Sequence, residues 1–159
     1  MVITDAHDYL LKHFEEFDFI WSSPPCPTHS RINHCFTKGN ATNPVRYADM
    51  KLYEEILLLK YHFKGKYCVE NVISYYDPLI KPFELANHYF WTNFYISPIK
   101  NATREHYGGK EKLQEIKGFN IDKYSGINKI QTLRNCVEPR TGLHILNESI
   151  IDYQAELFR

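Results

Sequence analysis

The apolar, aromatic run Phe17-Asp18-Phe19-Ile20-Trp21 stops at Ser22-Ser23-Pro24-Pro25, and that stop constrains the fold more than any other feature of the chain. Aromatic and β-branched residues in such a run favour a buried strand. Two consecutive prolines lack the N–H that a ladder needs, so the chain must leave the sheet there. A second buried strand is expected at Tyr67-Cys68-Val69, running into Glu70-Asn71-Val72. Between the two, Asp49 reads as a helix N-cap. Leu52, Tyr53, Ile56, Leu59, Lys60 and Phe63 then mark one stripe of a helix that Gly65 ends. Strand, helix and strand in this order predict an α/β sheet with parallel members.

The flanking segments are read by the same signals. Val2 to Thr4 is a short β-prone stub, and Tyr9, Leu10, His13, Phe14 and Phe17 place a helix over 5–16. Thr28 to Arg46 is polar, holds Gly39 and Pro44, and is expected to be a long loop, a kind of segment that is usually functional or disordered. A third, very aromatic strand is expected over 88–96. Its Tyr89, Phe90, Trp91, Phe94 and Tyr95 suit either base stacking or ordinary packing. Residues 100–131 are rich in Lys, Asn and Gly and weakly periodic. Lys110, Lys112, Lys117, Lys123 and Lys129 there predict a locally basic face, open to phosphate contact or to plain solvation. Segments 133–137 and 139–158 read as helical, with Pro139 in a first turn.

The 159 residues suit a single domain, and 43% hydrophobic content is enough for a core. A formal net charge of zero carries no whole-chain signature of nucleic-acid binding, so any DNA contact must be local or come from other polypeptide. Cys26, Cys35, Cys68 and Cys136 form no C-x-x-C pair and no disulfide-like rhythm, which points to a reducing, cytoplasmic setting. Neither a signal peptide nor a membrane-spanning run is expected.

In an α/β sheet the loops leaving the carboxyl ends of strands build the active site. One such end places Cys26 just past the diproline turn, and the other places Glu70 and Asn71 just past a buried strand. A thiolate can attack an electron-poor ring carbon, and a nearby acid can protonate a ring nitrogen and make that carbon more electrophilic. Taken singly, the cysteine reads as a small buried hydrophobe and the glutamate as a surface carboxylate, so the weight lies on the joint pattern.

That joint pattern resembles the DNA cytosine (carbon-5) methyltransferases. Their Pro-Cys loop has its counterpart in Pro24-Pro25-Cys26 and their Glu-Asn-Val motif in Glu70-Asn71-Val72, each after its own strand with one helix between. Asp5 looks like the acidic residue that reaches the cofactor's adenine, and 134–139, Arg-Asn-Cys-Val-Glu-Pro, is similar to the late Gly-Asn-x-Val motif. The resemblance implies an incomplete Rossmann-like sheet of the S-adenosylmethionine-dependent methyltransferases with flanking helices. Cys26 would attack carbon 6 of a flipped-out cytosine in DNA, Glu70 would protonate or hydrogen-bond ring nitrogen 3, and carbon 5 would take the methyl group. Pro24, Pro25, Ser30, Asn71, Val72 and His88 would line the substrate side, with Asn71 ordering the Cys26 loop and Ser30 opening a mobile loop over DNA. Asp5, Ser23, Pro25, Asn135 and Val137 would line the S-adenosylmethionine side. Residues 97–130 correspond to a reduced variable segment of the target-recognition kind.

Two family features have no counterpart. The aromatic-x-Gly-x-Gly cofactor loop is absent, since Gly108-Gly109 come late and follow no convincing strand. The chain therefore corresponds to the family from its third strand onward, which predicts an open apolar edge on the Cys26-bearing strand. A complementary chain carrying the missing strands, or a homodimer through that edge, would cover it. The family's Gln-x-Arg-x-Arg segment also loses its arginine in 87–93, leaving His88 or Arg104 to substitute. Two rival readings stay open. Cys26, His29, His34 and Cys35 have the donor types of a zinc site. Alternatively, the chain is a catalytically inactive, methyltransferase-derived binding protein, of the kind a phage uses to block a host defence complex.

Overall fold

The computed structural model describes residues 4–31, 34–35, 46–99 and 108–151. They fall into two compact units, Met1–Tyr95 and Ile96–Arg159.

The first unit opens with α1 (Ala6–His13), whose N-terminus is capped by the Asp5 carboxylate accepting from the Asp8 N–H at 3.1 Å. A 3-10 turn (Phe14–Glu16) leads to β1 (Phe19–Ser22), followed by α2 (Lys51–His62), β2 (Lys66–Val72), β3 (Phe83–Leu85) and β4 (His88–Thr92). The four strands form one mixed sheet in the order β1-β2-β4-β3. β1 and β2 run parallel, from Phe19 opposite Lys66 to Ser22 opposite Val69. β4 lies antiparallel to β2, and β3 antiparallel to β4. The expected α/β architecture with a parallel strand pair and flanking helices is therefore present, in a small open sheet.

β2, the strand with two long neighbours, is buried over five consecutive residues, as a central strand should be. α2 covers one sheet face, where Leu52, Tyr53, Ile56 and Leu59 pack with Ile20, Tyr67, Val69 and Trp91. Alternation along β2 therefore turns Cys68 and Glu70 to the opposite face. Gly65 between α2 and β2 is sterically required. A Cβ there would stand 2.3 Å from the Asp18 carbonyl oxygen and 2.5 Å from the Phe63 ring.

Several boundaries differ from expectation. β1 begins two residues later than Phe17, because the Asp18 carbonyl already bonds Lys66 N–H at 3.0 Å and Phe17 stays exposed. Asp49 does not occupy the cap position of α2, which Met50 holds, yet its carboxylate accepts from Lys51 N–H at 3.1 Å and serves the same end. The third expected strand stops at Thr92, because Asn93 turns aside to bond Gly65 and Tyr67 at 2.9 and 3.1 Å. β3 was not expected at all. It pairs through a two-residue hairpin at Ala86 and Asn87, both at positive φ (48° and 63°), the geometry that usually selects Asn-Gly. Of the expected N-terminal stub, Val2 and Ile3 lie outside the described residues and Thr4 is in a bend.

The second unit holds α3 (Lys110–Lys117), α4 (Lys129–Asn135) and α5 (Pro139–Ile150). Leu113, Ile121 and Leu133 form its small core. Pro139 stands in the first turn of α5, which Glu138 caps by accepting from Thr141 N–H at 3.0 Å. Residues 152–158 of the expected helix lie outside the described residues. Of the five lysines expected to form a basic face over 110–129, Lys112 and Lys123 are exposed and three are engaged within the unit. Lys117 is buried and donates to the Cys136 carbonyl at 2.6 Å, Lys110 pairs with Asp122 at 2.6 Å, and Lys129 donates to the Asp122 carbonyl at 2.7 Å. Among the described residues no helix is long and apolar enough to cross a membrane.

Candidate active site at the carboxyl ends of the parallel strands

β1 and β2 run the same way, so their carboxyl ends open on the same side of the sheet and bring the diproline loop beside Glu70-Asn71-Val72. The buried Asn71 fixes the junction. Its side-chain N–H donates to the Pro24 carbonyl at 3.0 Å, and its side-chain oxygen accepts from Val72 N–H at 3.0 Å. Proline lacks the N–H that a ladder needs, so this side-chain amide ties the loop to the strand where backbone donors are missing. Past it the chain turns at once, with the Cys26 carbonyl accepting from His29 and Ser30 N–H at 3.0 and 3.1 Å. Ser30 bridges to Ser74, and the His29 carbonyl takes Tyr75 N–H at 3.1 Å, so the turn is pinned to the segment after β2.

Cys26 is half-buried, and its thiol is pushed up from the ordinary range by burial and, beyond that, by the charge of Glu70. Glu70 is itself 7% exposed. Burial pushes its carboxyl up, while His88 and a hydrogen bond from the Ser23 hydroxyl pull the other way. His88 Nε2 lies 3.6 Å from Glu70 Oε1, and its Nδ1 lies 3.1 Å from the Ala86 carbonyl oxygen. Val72 stands opposite His88 in the ladder and Glu70 opposite Phe90, so Glu70 and His88 are diagonal neighbours on one sheet face.

The structure therefore gathers Pro24, Cys26, Ser30, Glu70, Asn71, Val72, His88 and Ser23 at one end of one sheet. Pro25 is exposed in the same loop. Asp5 is engaged as the cap of α1, which holds its carboxyl below the usual range. Asn135 and Val137 belong to the second unit. Asn135 ends α4, exposed, with its side-chain oxygen accepting from Gln131 at 2.8 Å. Of the loop expected over 28–46, residues 32–33 and 36–45 lie outside the described residues, as does Arg104.

The zinc reading is corrected. Among the described residues no three His, Cys, Asp or Glu side chains stand where they could hold a metal ion. His34 instead stacks on Tyr75, with ring centroids 4.1 Å apart and planes 2° from parallel. His29 is buried, with Nδ1 2.6 Å from the Tyr76 hydroxyl. Tyr53 donates to that hydroxyl at 3.5 Å and accepts from Leu79 N–H at 3.2 Å. Tyr76 is thus left to donate to Nδ1, which assigns the ring proton to Nε2. That N–H has no hydrogen-bond partner among the described residues. Burial pushes the imidazole down, with Asp49 pulling the opposite way.

Two other polar clusters escaped the sequence reading. At the end of β1, Ser22 donates to the buried Glu55 at 2.6 Å, and His7 lies 3.2 Å from both Glu54 and Glu55. Glu55 falls between Leu52 and Leu59 on the buried stripe of α2, and that position was a legible signal. In the second unit Ser97 donates to the buried Glu148, while His144 Nε2 lies 2.8 Å from the Ser97 carbonyl and 3.5 Å from Glu148. All three groups meet at the same ring nitrogen, so this Ser/His/Glu set is a brace and not a nucleophile–base–orienter relay.

No protein family, curated protein or solved structure matches the chain in the three comparisons made.

Proposed function

We propose that this chain is the nucleophile-and-acid portion of a DNA cytosine (carbon-5) methyltransferase, with Cys26 as nucleophile and Glu70 as acid. The observation that carries this reading is the Asn71–Pro24 hydrogen bond, which ties the Cys26 loop to the strand end that bears Glu70. In the reaction the Cys26 thiolate forms a carbon–sulfur bond to carbon 6 of an extruded cytosine. Glu70 gives its proton to ring nitrogen 3, and carbon 5 becomes electron-rich. The two protonation states support each other. A carboxylate at Glu70 opposes the thiolate, so the same proton that readies Glu70 as an acid removes the charge that holds Cys26 as a thiol.

The residues present do not fit a complete S-adenosylmethionine site. The Asp5 carboxylate is already a helix cap, the Ser23 hydroxyl is engaged with Trp21 Nε1 at 3.1 Å and with Glu70, and the Asn135 oxygen is held within its own helix. Methyl-donor binding accordingly falls to polypeptide outside the described residues or to a partner chain. β1 is where such a chain would join. It pairs with β2 alone among the described residues, and a groove of about 380 Å³ beside it is lined by Tyr9, Leu10, Phe17, Phe19 and Trp21.

The reading is tested with DNA in which the target base is pyrimidin-2-one, which accepts a thiol at carbon 6 without any methyl transfer. A denaturation-resistant adduct that maps to Cys26, disappears in Cys26→Ser and weakens in Glu70→Gln is the expected result. Equal trapping by Cys26→Ser would sink it. A second reading, an inactive methyltransferase-derived binding protein, is favoured by one observation: the polar groups that would hold a cofactor already serve the protein's own fold. Calorimetry separates the two. S-adenosylhomocysteine binding, alone or with a partner chain, supports the enzyme, and its absence in both settings supports the binder.

A further inference from the structure

We propose that Glu70 and His88 share a single proton and that His88 is the solvent-side member which reloads Glu70 from water. The destination of that proton rests on the reading of Glu70 as an acid, whereas the sharing itself does not. Three observations carry it. First, the Ala86 carbonyl has no hydrogen to give, so the 3.1 Å contact fixes a proton on His88 Nδ1. In a neutral ring Nε2 is then an acceptor, and it is Nε2 that lies 3.6 Å from Glu70 Oε1. Second, the hairpin that supplies this carbonyl holds Ala86 in the left-handed region at φ 48°, a conformation disfavoured for any residue with a Cβ. The backbone accepts that strain where the carbonyl meets the ring. Third, exposure is graded. The His88 side chain is 22% exposed and that of Glu70 is 9%, so water reaches the imidazole more readily than the carboxyl.

The groups that face Glu70 from each surrounding element are His88 on β4, the Ser23 hydroxyl after β1, the Cys26 thiol in the diproline loop and Cys68 on β2 itself. Cys68 is buried and its thiol is pushed far up, so it holds its proton throughout. Ser23 only donates. Among these groups His88 is the one whose ring nitrogen can take Glu70's proton and return it. The exchange balances. When Glu70 gives its proton to a base nitrogen, a carboxylate remains beside a neutral ring. A proton from water then binds Nε2 and passes to the carboxylate, which restores the starting pair.

The test is an NMR titration of the full chain without DNA or cofactor, following His88 ring nitrogens and the Glu70 side-chain carbon. Its outcome is therefore separable from that of the methyltransferase reading. In the wild type, Nδ1 is expected to stay protonated across neutral pH while Nε2 and the Glu70 carboxyl titrate together. In His88→Gln the Glu70 midpoint is expected to move up, because the imidazolium that favours the carboxylate is gone. In Glu70→Gln the His88 midpoint is expected to move down. An unmoved Glu70 midpoint in a folded His88→Gln protein overturns the proposal, as does an Nε2 that keeps its proton while Glu70 titrates alone. Should His88→Gln fail to fold, Glu70→Gln decides by the same criterion, since an unmoved His88 overturns the sharing from the other side.

Discussion

Glu70 and Glu148 are both buried, each beside a histidine at nearly the same distance, and the two pairs are held in different ways. Glu148 and His144 lie four residues apart on one helix, 3.5 Å from each other. Ser97 closes the set by donating through its hydroxyl and accepting through its carbonyl. The histidine and the glutamate are thus set by one helix, and Ser97 reaches them from 47 and 51 positions away. Glu70 and His88 lie 3.6 Å apart on different strands. The histidine is held by a strained turn, and the carboxyl stands beside a thiol on a loop that ends its strand. A closed set of partners makes a brace. The Glu70–His88 pair joins two strands and stands beside the Cys26 loop.

Four substitutions test this contrast. Glu148→Ala is expected to have the largest effect on folding, about 2–3 kcal/mol, because it removes the acceptor of the Ser97 hydroxyl and leaves a gap at a buried helix position. Urea unfolding would show it, and a loss no greater than that of a surface substitution would break the comparison. Asn71→Ala removes the donor to the Pro24 carbonyl and is expected to cost about 1–2 kcal/mol. It should also speed alkylation of Cys26, read by mass spectrometry of its peptide. Glu70→Gln is expected to stay within about 1 kcal/mol of wild type at neutral pH, since a carboxyl whose ionisation burial disfavours has little charge-based stability to lose. Its effect lies in pH dependence. Burial raises the Glu70 value in the folded state, so between the usual carboxylate range and that raised value the folded protein keeps a proton the unfolded chain has released. Stability contributed by Glu70 is thus present below the unfolded value and is lost as pH rises through the folded one. Unfolding measured across that window should slope downward in the wild type, and the slope should shrink in Glu70→Gln. Smallest of all, Ala86→Gly is expected to stabilise by about 0.5 kcal/mol, the left-handed strain relieved less the added backbone freedom. A destabilised Ala86→Gly would show that the turn is not strained as described.

How far the sequence could be read depended on whether a feature was signalled locally. β1, α2 and β2 were legible because an aromatic run, a 3.6-residue stripe and prolines each speak for themselves within a few residues. β3 was not. Phe83–Leu85 is three residues long and its turn is Ala-Asn, so neither length nor turn chemistry announced a hairpin that only the sheet explains. α3 was missed because Leu113 and Ile116 are its only aliphatic residues, although Gly118, left-handed at φ 71° just past its end, was a stop signal in plain view. At the site, Cys26, Glu70 and Asn71 stood out by residue type at strand ends. The His29–Tyr76–Tyr53 chain did not, since nothing in a lone histidine reveals a phenol 47 residues away.

The parallel pairing of β1 with β2 has a consequence in time as well as in space. The β3–β4 hairpin closes over two residues and β4 folds back on β2 from nearby in the chain, whereas β1 must find β2 across the whole of the intervening loop and helix. Contacts of long sequence separation bear the greater loop-closure entropy and tend to form late. The bond from Asn71 to Pro24 spans 47 positions and belongs to this late class. The Cys26 loop should therefore be the last part of its unit to gain protection in pulsed hydrogen exchange and the first to lose it near the unfolding midpoint. The Cys26 thiol would then stand beside Glu70 only in molecules that have completed their folding.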